Sequence, residues 1–79
     1  LMPTVLRIDP YRFHFYSDEG AEPAHMRVDI GSGGCKFWLD PVTLARSINV
    51  APVEVRKIER LVFEHKEFLK GKYDEFHRR

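Results

Sequence analysis

The chain has 79 residues, 43% of them hydrophobic, and a formal charge of only +1. That supports one soluble domain and not two, and gives no global field that favours nucleic acid. A single cysteine excludes an internal disulfide and a multi-thiolate metal site, and no apolar run approaches the roughly 20 residues that cross a bilayer, so a cytoplasmic protein is expected.

Met2 is the expected natural start, which places a single domain over residues 2–79. "TVLRI" (residues 4–8) is a short strand, and Asp9 and Pro10 form a turn signal. "YRFHFYS" (residues 11–17) alternates, with Tyr11, Phe13 and Phe15 on one face and Arg12, His14 and Tyr16 on the other. The short separation between the two runs predicts an antiparallel hairpin. "DEGAEPA" has too many acids and breakers for a strand and reads as a loop. "HMRVDI" (residues 25–30) is the next strand, with His25, Arg27 and Asp29 opposite Met26, Val28 and Ile30. "GSGG" (residues 31–34) supplies a tight turn. A phosphate loop would need a lysine and a helix directly after the glycines, whereas Lys36 falls inside a strand.

"CKFWLD" (residues 35–40) alternates again, with Cys35, Phe37 and Leu39 opposite Lys36, Trp38 and Asp40. "DPVT" is a turn, and "LARSINV" (residues 44–50) is read as a fifth strand. The period then becomes helical. Pro52 suits a first helical turn, with Glu54 near the positive helix end. Val55, Ile58, Leu61, Val62, Leu69, Tyr73 and Phe76 form one apolar stripe, and Gly71 is the expected weak point.

The fold class expected is α+β: an antiparallel sheet of four or five strands packed by one long C-terminal helix. The helix covers the apolar sheet face. The other face then carries Arg12, His14, Tyr16, His25, Arg27, Asp29, Lys36, Trp38 and Asp40. Cleaving RNA needs a base, an acid and cations for the phosphorane charge. His14 and His25 are the candidate acid–base pair, with Arg27 beside them. Arg12 and Lys36 are the candidate phosphate clamp, and Trp38 and Tyr16 the candidate base-stacking rings. The same residue types suit a plain solvated face. His14, His25, Asp18 and Glu22 are too few good ligands for zinc, so no metal or other cofactor is expected. His65, on the buried stripe, reads as a histidine bonded to a backbone carbonyl. Phe63 falls on the charged helix face and is the candidate anchor for a protein partner. The short first strand offers an open sheet edge for a homo-oligomer or a second protein.

The runs "MPTVLRI", "YRFHFY", "EPAHMRV", "KFWLDPVTLA" and a helix carrying "EHKEFL" occur in that order. With them the chain resembles, over nearly its whole length, a small bacterial family known as domain of unknown function 4160. The resemblance implies a member of a toxin–antitoxin-like pair, encoded beside another small protein. The family pattern after the loop is Pro-Pro-His-x-His; here Pro23-Ala24-His25-Met26-Arg27 keeps the first histidine and puts Arg27 at the second. Arginine stays protonated and binds phosphate through two parallel hydrogen bonds, but does no acid–base work. The expected function is therefore a protein-binding role in a complex with a second small protein. The alternative is a nuclease-like toxin acting on RNA through the His/Arg face.

Overall fold

Strand segments joined mostly by two-residue turns leave little choice but a meander. The computed structural model describes residues 4–16 and 21–77. Its elements are β1 (Thr4–Ile8), β2 (Tyr11–His14), β3 (His25–Ile30), β4 (Gly33–Leu39), β5 (Val42–Ile48), α1 (Pro52–Glu64) and α2 (Lys66–His77). The strands lie side by side in chain order, each antiparallel to the next. The α+β architecture read from the sequence is present.

Three tight turns fix the register. Asp9-Pro10 and Asp40-Pro41 are cis peptides and close the β1–β2 and β4–β5 hairpins. Because the second turn is only two residues long, β5 begins at Val42 rather than at Leu44 as expected. Gly31 and Ser32 close β3–β4, with Gly31 at φ 57°. That positive φ is one a side chain resists and glycine does not. A Cβ on Gly33 would stand 2.3 Å from the Asn49 carbonyl oxygen, so the chain leaving β5 passes only because this residue is glycine.

The single long helix of the sequence reading is two helices, and the break falls at His65, not at Gly71. The His65 Nδ1–H donates to the Leu61 carbonyl at 2.9 Å, the same oxygen its own backbone N–H uses at 3.0 Å. A ring inserted into the helical ladder in this way is an ordinary cause of a bend. The ladder resumes at once, with Leu69 N–H donating to His65 O.

The helices cover the apolar sheet face as expected. Phe13, Met26, Val28 and Phe37 of the sheet meet Ile58, Val62 and Leu69 of the helices, all without exposed surface. Each such side chain contributes about 1.5–3 kcal/mol by leaving water. Strand β2 stops at His14, sooner than the alternation suggested; Phe15 stays buried, and Ser17 lies outside the described residues. Among the described residues no helix is long and apolar enough to cross a membrane.

Candidate anion-binding site on the open sheet face

One row of side chains crosses the whole sheet on the face away from the helices. Pairing places Thr4 beside His14, His14 beside Arg27, Arg27 beside Lys36, and Lys36 beside Arg46. Adjacent strands stand about 4.8 Å apart, so the span from His14 to Arg46 is roughly 14 Å. The next row reads Arg12, Asp29, Gly34 and Ile48.

Both edge strands bulge beside the cationic row. In β1 the register shifts between Thr4 and Leu6; in β5 Leu44 pairs Phe37 while Arg46 pairs Lys36, which leaves Ala45 as the extra residue. A bulge re-aims a side chain and bends its strand. Here it turns Arg46 to the open face while Leu44 stays on the Phe37 side. Strict alternation would put both on one side, which is why sequence reasoning missed Arg46. The one available signal was a lone charge in an uncharged run.

The row and its neighbours surround a hollow of about 310 Å³, walled by Tyr16, Arg27, Asp29, Lys36 and Arg46, with Gly34 beneath. A Cβ at Gly34 would come within 3.1 Å of Asp29 Oδ1, so the missing side chain makes the depth. The cations are propped. The Arg27 guanidinium lies 4.4 Å from the Tyr16 ring centre, and Lys36 Nζ lies 4.8 Å from that of Trp38 while bonding Glu22 Oε1 at 2.7 Å. Cations over ring faces are attracted by the ring quadrupole. Tyr16 and Trp38 thus hold the cations in place as much as they offer surfaces for a base.

Arg12 stands behind the hollow. Its Nη1 bonds Asp29 Oδ2 at 2.8 Å and its Nε bonds Thr4 Oγ1 at 2.8 Å. Asp29 Oδ2 also sits 3.1 Å from His14 Nε2, at ion-pair distance without hydrogen-bond geometry. His14 is only 2% exposed, and neither ring nitrogen has a hydrogen-bond partner. Buried polar groups normally have one.

His25 is placed differently from the sequence reading. It is wholly buried, its Nδ1–H donates to the Pro23 carbonyl at 3.1 Å, and its ring packs edge-on against Tyr73 of α2. Tyr73 reaches over this end of the sheet, its hydroxyl donating to the Glu22 carbonyl at 3.2 Å. Of the three candidate catalytic residues, His14 and Arg27 therefore line the hollow and His25 does not. Among the clamp and stacking candidates, Lys36 and Tyr16 line it, while Trp38 and Arg12 support it from the side. Phe63 is on α1, 56% exposed, with Lys66 Nζ 4.1 Å from its ring centre and a concavity on either side. Burial pushes the Cys35 thiol up, away from the reactive thiolate. Among the described residues no three His, Cys, Asp or Glu side chains gather as a metal site; Asp18 lies outside them.

The arrangement fits an anion. Arg27, Lys36, Arg46 and one carboxylate, Asp29, line the hollow, and that carboxylate already faces Arg12. A match to a family model covers residues 11–74, and the family is described as a domain of unknown function (DUF4160). No curated protein and no solved structure matches the chain.

Proposed function

The chain belongs to the DUF4160 family, and from that premise we propose that it is a cytoplasmic RNA-binding protein whose open sheet face holds the phosphate backbone. The observation that carries this reading is the row His14, Arg27, Lys36 and Arg46 around one hollow. Two edge bulges bend the sheet at that row, and two aromatic rings prop two of its cations. Binding is favoured over cleavage because the second histidine is tied to a carbonyl and covered by Tyr73. An acid–base pair needs both partners within reach of the substrate.

The test is fluorescence anisotropy with labelled hexauridylate. The expected result is binding with log K falling against log salt by about 0.7 per phosphate engaged, or about −2 for three phosphates along the row. Absence of binding up to millimolar protein, or binding indifferent to salt, would remove the reading.

A second reading has its own support. Phe63 is a large exposed ring between two concavities, one reaching Val42 and Arg56 and the other Pro41 and Lys70. Exposed aromatic residues of this kind anchor protein interfaces. The partner proposed is a second small protein encoded nearby, in a toxin–antitoxin-like pair. Copurification with the neighbouring gene's product, lost in Phe63→Asp, is the expected result; a variant that still copurifies would place the interface elsewhere.

A further inference from the structure

We propose that the outward face of α1 binds a second copy of this chain, helix against helix and antiparallel, about a two-fold axis between Glu59 and Arg60. The cationic row lies on the sheet face away from the helices, so this surface is separate from the one proposed for RNA. Phe63 then meets a second copy of its own chain in place of a different small protein.

The first observation is a seam. Glu59, Arg60 and Phe63 follow Arg56 by three, four and seven residues on α1, and all four side chains are exposed. That spacing is one stripe of a helix. The stripe runs beside the start of β5, where its four residues and Val42 wall a groove of about 380 Å³. Phe63, 56% exposed, is the large apolar side chain among them. An aromatic ring with charged residues around it has the make-up of an interface anchor and its rim.

The second is unpaired charge. Among the described residues, Arg56, Glu59 and Arg60 take part in no hydrogen bond or ion pair through their side chains. The Phe63 ring already attracts one cation, Lys66 at 4.1 Å, and a ring has two faces.

The third is symmetry. In a two-fold contact, where residue i meets the partner's j, residue j meets the partner's i. Laid antiparallel on itself about the midpoint between Glu59 and Arg60, the stripe sets Glu59 against the partner's Arg60 and Arg56 against the partner's Phe63. Each pairing occurs twice, one an ion pair and the other a cation over a ring. Other arrangements of the same stripe repel. A parallel one sets Glu59 on the partner's Glu59 and Arg60 on the partner's Arg60. An antiparallel one centred on Ile58 sets Arg56 on the partner's Arg60. Strand addition at the neighbouring sheet edge is disfavoured too, because the extra residue Ala45 interrupts the ladder of β5.

The experiment is sedimentation equilibrium of the protein from about 10 µM to about 2 mM. The parent is expected to form a reversible dimer with a dissociation constant on the order of 0.1 mM, since one helix face is smaller than the roughly 1,200 Å² of a standard interface. Glu59→Arg and Arg60→Glu change the net charge in opposite directions, yet each sets like charges together twice. Both are expected to weaken the dimer at least about tenfold. The double reversal, Glu59→Arg with Arg60→Glu, restores opposite pairs and is expected to return the constant to within about threefold of the parent. Circular dichroism confirms the fold of each variant. A parent that stays monomeric at about 2 mM overturns the proposal, and if that monomer copurifies with the neighbouring gene's product the helix face belongs to the other protein. Single reversals without effect, or a double reversal that leaves the dimer broken, would overturn it as well, since any self-association would then use another surface.

Discussion

Arg46 and the two sheet histidines separate what one residue contributes from what its neighbours allow. Arg46 has no carboxylate partner among the described residues and reaches the hollow from an exposed strand. Arg46→Ala is expected to weaken hexauridylate binding about tenfold, or ~1.4 kcal/mol, with melting temperature unchanged. His25→Ala is expected to do the reverse. It removes a buried ring and its bond to Pro23 O, lowering stability by about 2 kcal/mol in chemical denaturation, with RNA affinity of the folded protein unaltered. Alternation along "HMRVDI" correctly separated His25, Arg27 and Asp29 from the core residues. It said nothing of depth, because the ring that covers His25 comes from Tyr73, far along the chain. Tyr11 gives a separate handle. Its hydroxyl donates to the Glu54 carboxylate, and that bond, then burial, then the Glu54 charge push its pKa from 10.0 to about 12. The unfolded chain releases this proton first as pH rises. The contribution is therefore whole below pH 10 and is lost between pH 10 and about 12. Between about pH 9 and about pH 11.5 the denaturation midpoint should therefore fall less in Tyr11→Phe, which has no phenol to ionise, than in the parent.

At the scale of the element, regular patterns were legible and their interruptions were not. Period-two runs gave β2 to β4 and period-three-and-four spacing gave the helical region, because one-sided burial writes itself into the sequence. The bulge at Ala45 leaves no such trace: "VTLARSI" reads as an ordinary strand, yet its second half is turned over relative to its first. The helix break was expected at Gly71 on propensity. It falls at His65, where a ring competes for the Leu61 carbonyl. Gly71 instead lies within α2, with ordinary backbone and nothing within 4 Å of where its Cβ would be. Gly71→Ala is consequently expected to stabilise the protein by about 0.5–1 kcal/mol, read as a higher melting temperature with RNA binding unaffected.

The molecule as a whole is a sheet with one dry side, under the helices, and one open side that carries the cationic row. The dry side holds nearly all the apolar volume, so a domain this small rests on few rings; a core of this size supplies about 3–5 kcal/mol net. Phe37→Ala, at a cost of about 3–5 kcal/mol, is expected to leave the chain largely unfolded at room temperature by circular dichroism. The same packing leaves the opposite face free to gather cations that a bare net charge of +1 conceals. The most direct test is a titration of the nitrogen-15-labelled protein with hexauridylate, followed by amide chemical shifts. The expected result is a set of shifts confined to Arg27, Gly34, Lys36, Arg46 and their strand neighbours, with α1 and α2 silent. Shifts confined to the helices, or a spectrum that does not change at millimolar RNA, would contradict the assignment of the open sheet face as the binding surface.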